Sequence, residues 1–289
     1  MKKRRLFVIP LLLLIIMVTG CFKRDSLEDI EIVTTAYPYE YITNVLYGEH
    51  SLVTSIYPDG TDIDTYKLSN KIIKDYSKKE LFIYNGLNND KDLARKLLDY
   101  NKNMLIIDAT SGMEITYGNE ELWLNPSNLL MIVQNIKNGL NEYITNSYLK
   151  KEIETNYEQL KVSLSELDAD IKLTAENASR KTIVVNNNSL KYLEKYGFNV
   201  ISLDDSNINI SDKTITEVNK LIDNGEVTHL FVLDKTKNSK VFDNIVSETG
   251  ISTYTFKKLD NINDTERDNK ENYITLMNYN IELLRSELY

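Results

Sequence analysis

Cysteine and histidine supply much of the nucleophilic, general-base and metal-ligating chemistry of proteins, and this sequence is nearly without them. It has one cysteine, Cys21, and two histidines, His50 and His229, in 289 residues. A lone cysteine permits no disulfide and no thiolate metal site. A three-imidazole zinc centre needs more histidines than exist, and a serine–histidine pair would have to use one of the two. His50, in Gly48-Glu49-His50-Ser51, reads as a surface turn residue, and His229 as the opening residue of an apolar strand. Ser69, Ser127 and Ser189 fit helix starts and have no histidine base in a matching motif. Asp204-Asp205-Ser206-Asn207 and residues 260–268 have calcium-like composition but lack the glycine and terminal glutamate of an EF-hand loop, so they read as solvated loops. No glycine loop suited to phosphate is present, and the nineteen tyrosines form no stripe for stacking sugars. With no base–nucleophile constellation, the sequence reads as a binding protein and not an enzyme.

Cys21 has a setting of its own. Lys2, Lys3, Arg4 and Arg5 precede an apolar run, Leu6 to Val18, interrupted only by Pro10, and Val18-Thr19-Gly20 leads into the cysteine. A charged start, a short apolar core and a small-residue cleavage site make a secretory signal. The run is shorter than the roughly 20 residues that span a bilayer. Val-Thr-Gly-Cys resembles the lipobox of bacterial lipoproteins, which implies cleavage after Gly20, lipidation of Cys21 and an extracytoplasmic chain anchored to the cell membrane. Two or more acyl chains hold a protein stably where one binds only marginally. Loss of the four basic residues of the signal takes the formal charge from −9 to −13. So acidic a chain has no basic stripe for nucleic acid.

These features must be carried by a fold, and apolar β-rich runs alternate with helical spacing along the chain. Residues 30–35, 52–57, 81–84 and 104–107 read as strands, with helices at 39–46, 68–76 and 91–100 between them. The pattern restarts with strands at 182–186, 199–203, 229–233 and 252–256, helices at 190–196, 213–222 and 241–248, and a closing helix at 269–288. Such alternation is the mark of parallel sheets with crossover helices. Between the halves, Ser127 follows Pro126 and can cap a helix that shows Leu129, Val133, Ile136 and Leu140 on one face. Next comes a helix over 148–175 with Ile153, Tyr157, Leu160, Leu164, Leu167 and Ile171 on one face, about 42 Å long. The chain thus divides into signal 1–20, tether 21–29, α/β lobe 30–146, linking helix 147–178 and α/β lobe 179–289. The expected architecture is two α/β lobes with parallel sheets, joined by a long rigid backbone helix. A ligand cleft is expected between the lobes, at the carboxyl ends of the strands.

Several motifs fall in one order: Thr34-Thr35-Ala36-Tyr37-Pro38, Tyr57-Pro58-Asp59-Gly60-Thr61, Leu81-Phe82-Ile83-Tyr84-Asn85-Gly86-Leu87 and Leu122-Trp123-Leu124-Asn125-Pro126. Tyr192-Leu193-Glu194-Lys195-Tyr196-Gly197, Glu248-Thr249-Gly250 and the closing Tyr273-Ile274-Thr275-Leu276-Met277-Asn278-Tyr279-Asn280 continue the series. In order and spacing the chain, over nearly all of residues 30–289, resembles the zinc/manganese solute-binding lipoproteins of ABC importers, also called metal-binding or adhesin lipoproteins. The resemblance implies one metal ion in the cleft, delivery to an ABC permease in the membrane, and a monomer.

Where that family places its ligands, this sequence departs from it. Asp64 stands where a histidine is expected after the Gly-Thr turn, and Glu121 where a second is expected two residues before the tryptophan. Asn187 falls at the third ligand position, and the fourth aligns near Lys257, with Asp260 and Asp264 close behind. Carboxylate and amide oxygens suit manganese, calcium or magnesium better than zinc. One expectation is therefore an oxygen-rich site for a divalent ion, manganese or zinc, built from Asp64, Glu121 and Asn187. The other is loss of tight zinc binding, with the Lys257 ammonium paired to Glu121 or Asp64 in place of the cation. Beside the importer stands a divergent paralogue that binds another small solute, or acts as a surface adhesion or interaction protein.

Overall fold

β-branched and aromatic runs at the predicted places become eight short strands in a computed structural model that describes residues 27–206 and 209–289. Cys21, the signal and most of the tether lie outside the described residues. In the N-terminal lobe, β1 (Ile30–Thr34), β2 (Ser51–Ser55), β3 (Leu81–Tyr84) and β4 (Leu105–Asp108) form a parallel sheet of order β2-β1-β3-β4. In the C-terminal lobe, β5 (Thr182–Val185), β6 (Asn199–Ser202), β7 (His229–Leu233) and β8 (Ser252–Phe256) repeat that order as β6-β5-β7-β8. In both sheets the first strand has its successor on one side and the third strand on the other. The order therefore reverses between β1 and β3 and between β5 and β7. Loops leaving the carboxyl ends at such points diverge and open a crevice.

The crossover helices of the first lobe are α1 (Tyr37–Tyr47), α2 (Asn70–Tyr76) and α3 (Asp90–Tyr100). A short α4 (Glu121–Leu124) then leads into α5 (Pro126–Tyr143), whose cap is Asn125 and not Ser127. The Asn125 side chain accepts the Ser127 N–H, and Pro126 takes the first helical position, where a missing N–H costs nothing. The second lobe carries α7 (Asp212–Asp223), α8 (Lys240–Thr249), a single-turn α9 (Asp264–Asp268) and the closing α10 (Tyr273–Leu288). The predicted helix at 190–196 is a 3-10 helix, Asn188–Tyr196, ended by Gly197 at φ +97°. The predicted closing helix begins later, at Tyr273, because Asn272 and Thr275 form a reciprocal cap there and Lys270 has a left-handed φ of +58°.

Between the lobes runs α6 (Ser147–Asn177), 31 residues and about 46 Å long. Its buried stripe, Leu149, Ile153, Tyr157, Leu160, Leu164, Leu167 and Ile171, packs on α1 and α5 of the first lobe and on α10 of the second. One apolar cluster consequently runs from Leu27 through this strut to Leu288, and a smaller cluster lies on the far face of each sheet. No helix among the described residues is long and apolar enough to cross a membrane.

Candidate functional site

Loops that follow the carboxyl ends of strands in both sheets meet where the lobes join. After β2, Gly60 turns the chain at φ +74°. The Asp62 carboxylate accepts the Asp64 N–H at 3.1 Å and the Thr65 hydroxyl at 2.9 Å, which fixes the loop around Asp64. Glu120 immediately precedes the short α4, and its Oε2 accepts the hydroxyl of Ser189 from the other lobe at 2.6 Å. Lys258 and Asp260 lie just past β8, where Leu259 adopts a left-handed φ of +62°. That segment is fixed to the first lobe: the Trp123 indole donates to the Lys258 carbonyl at 2.8 Å and the Tyr37 N–H to the Asp260 carbonyl at 3.0 Å.

At the centre is the Lys258 ammonium, 2.5 Å from Asp64 Oδ2, 3.0 Å from Asp260 Oδ2 and 3.6 Å from Glu120 Oε1. Lys258 and Asp260 are each 2 % exposed, whereas the Asp64 side chain is 61 % exposed and forms the mouth. Burial pulls the lysine pKa down, but the Asp260, Asp64 and Glu120 carboxylates outweigh it and hold the pKa well above the usual lysine value. Asp62, Asp64 and Asp260 each offer an oxygen, all within 4.8 Å of one another, so the same cluster has the chemistry of a hard-cation site.

A second charged layer sits behind it. The Arg267 guanidinium from α9 bonds Asp59 at 2.5 and 2.7 Å and Glu40 at 3.0 Å. The Asn261 amide reaches the Pro58 and Thr61 carbonyls at 2.9 and 3.0 Å. Lys235 donates to the Gly60 and Thr61 carbonyls from across the cleft.

Of the four residues singled out in the sequence, the structure brings Asp64 alone into the cluster. The Glu121 carboxylate turns away, accepting the N–H groups of Thr116 and Tyr117. Asn187 accepts the Ser189 N–H at 2.8 Å and starts the 3-10 helix. Lys257 pairs with Glu266 at 2.6 Å, and its N–H bonds Asn280. The others that converge are Asp260, named in the sequence as close behind the fourth position, and three near neighbours of the expected residues, Glu120, Ser189 and Lys258. A signal for one was present. Phe256 is an inward residue of β8, and the period-two alternation of a strand carries 258, not 257, to the same side. The histidines are elsewhere: His50 meets Glu152 on the strut at 3.0 Å, and His229 meets Glu287 at 3.1 Å while stacking on Tyr254.

Two parallel-sheet lobes, a strut helix and a polar interlobe cleft define a protein of the two-lobed solute-binding class. The chain superposes on the Zn(II)-bound ZnuA-like domain of Streptococcus pneumoniae AdcA with a TM-score of 0.71 at 23% identity, over 90% of this chain and 99% of that one. The zinc-binding protein AdcA of Streptococcus pyogenes is 25% identical over 290 residues, covering 89% of this chain and 55% of the relative. The chain thus spans about half the length of that relative. The high-affinity zinc uptake system protein ZnuA of Bacillus subtilis is 22% identical over 290 residues, covering 91% of this chain and 89% of the relative. Residues 32–287 match the profile of the family described as ZnuA, zinc-uptake complex component A, periplasmic, and the chain belongs to that family. Its members are transport components, not enzymes.

Proposed function

We propose that this chain is the extracytoplasmic solute-binding lipoprotein of a metal-type ABC importer, taking its solute in the interlobe cleft and delivering it to a membrane permease. The supporting observation is the convergence of Asp64 and Glu120 from one lobe with Asp260 from the other on a single cationic centre. Carboxylates from both lobes gathered on one point are what a cleft needs if cation capture is to draw the lobes together. The chemistry is that of oxygen donors, which favour manganese and other hard ions, while imidazole is the usual ligand for zinc. Zinc should accordingly bind far more weakly than to a histidine-built site. The test is elemental analysis of mature protein purified without chelator, followed by calorimetric titration with Mn(II) and Zn(II). Nanomolar zinc affinity would refute the oxygen-donor reading. A second reading, a paralogue that takes another small solute, is favoured by one observation: an ammonium already neutralises part of the cluster. Binding of neither ion under any condition would favour it.

A further inference from the structure

We propose that Lys258 is a tethered stand-in for the cationic solute, its ammonium bridging the carboxylates of both lobes and excluding a divalent ion for as long as it remains there. The inference rests on reading the cleft as a cation site and adds to it a resident competitor.

Geometry carries the case. Lys258 belongs to the second lobe yet reaches Asp64 and Glu120 of the first, with Asp260 of its own lobe completing the ring at 2.5, 3.6 and 3.0 Å. An ammonium on a side chain that is 2 % exposed is costly to bury. It is tolerable here because carboxylates surround it, and they in turn need a positive charge between them. No other basic group nearby makes an ion pair with these carboxylates among the described residues, although Lys235 is close enough to act on Asp260. Lys257 pairs with Glu266, Arg267 with Asp59 and Glu40, and Lys235 donates to backbone carbonyls. A protonated amine has no lone pair and cannot join a coordination sphere. Dication and ammonium therefore exclude one another among the same oxygens. The lysine stem is flexible, and its most exposed partner, Asp64, lies at the mouth, so retreat toward solvent is the route by which the site could be vacated.

The experiment uses the mature chain and the variants Lys258→Met and Lys257→Met, titrated calorimetrically with Mn(II), Zn(II) and Ca(II) and melted with chelator or excess Mn(II). Two like charges about 4 Å apart repel enough, at an effective dielectric of about 20, to change affinity roughly a thousandfold. Solvent access at Asp64 reduces this, so Lys258→Met should bind Mn(II) at least about a hundredfold tighter than the parent. The variant should also melt lower than the parent in chelator, because its carboxylates face one another unpaired, and should recover when Mn(II) is added. The parent and Lys257→Met should be raised by Mn(II) far less than Lys258→Met is. If Lys258→Met does not fold, Lys258→Met/Asp260→Asn, with one fewer buried charge, is measured in its place against the same parent. A parent that binds Mn(II) as tightly as the lysine-free variant would overturn the proposal while leaving the cation-site reading intact. No binding of any of the three ions by parent or variants would overturn both.

Discussion

Gly118 shows how tightly the residues of the cleft are fitted. A Cβ there would lie 2.1 Å from Ser189 Oγ, the hydroxyl that donates to Glu120 across the lobes. Gly118→Ala must therefore displace Ser189, and overpacking of this kind costs about 1–3 kcal/mol. Urea denaturation should show that loss, and Gly118→Ala/Ser189→Gly should regain part of it because the clash is gone. A double variant no more stable than the single one would show that the contact is not what matters. The site was partly legible at this scale. Asp64 follows a recognisable turn, and acidic and amine groups were expected to meet in the cleft. Glu121 and Lys257 are each one position from the residue that arrives. In the run Asn119-Glu120-Glu121, either acid could face inward, and only the start of α4 with Ser189 opposite decides that Glu120 does. Glu121 bonds loop N–H groups instead, a local role that no spacing rule signals.

Among the elements, the strands and the strut were the easiest to anticipate, because each rests on a run of apolar residues with one period. The 3-10 helix was not, since its stripe of Leu190, Leu193 and Tyr192 suits an ordinary helix equally well over so short a span. Its tightness follows from seating Ser189 against Glu120 at one end and Gly197 in a left-handed turn at the other. The strut offers the sharpest test. Leu164 is 1 % exposed at its centre. Leu164→Pro removes a helical hydrogen bond and clashes with the preceding turn, at about 3 kcal/mol or more, besides losing packing against the core. Since α6 touches both lobes, thermal unfolding should remain one transition and move to much lower temperature. A variant that melted with the parent would contradict the strut's role. Asp168 on the same helix makes a further tie, accepting the Tyr196 hydroxyl at 2.6 Å and the Lys195 ammonium at 3.1 Å. Those bonds outweigh the effect of burial and keep its carboxyl below the usual range, so the tie holds at neutral pH and weakens only in acid.

For the molecule as a whole, the proposed N-terminal anchor and the cleft are separate matters, and the first is tested apart from the second. Cys21→Ala should abolish labelling by a radioactive or clickable fatty acid and leave the precursor uncleaved or the protein released, and label that survives would refute the lipobox assignment. The cleft is governed by the continuous core. Trp123 and Tyr273 are 1 % and 0 % exposed, and they meet where the lobes do, with the Tyr273 hydroxyl donating to the Trp123 carbonyl at 2.5 Å and the indole donating to Lys258. Swinging the lobes apart as two rigid halves would wet both rings, and exposing a large apolar side chain costs about 1.5–3 kcal/mol each, several times thermal energy. Displacing the segment between β8 and α10 uncovers Leu259 and Ile262 and takes the acceptor from the Trp123 indole, but it leaves the packing of the strut on α1, α5 and α10 in place. Under the proposed function, traffic through the cleft is thus better pictured as the lifting of a latch than as the gaping of a jaw, the latch being the segment that Trp123, Tyr37 and the Arg267 ion pairs hold to the first lobe.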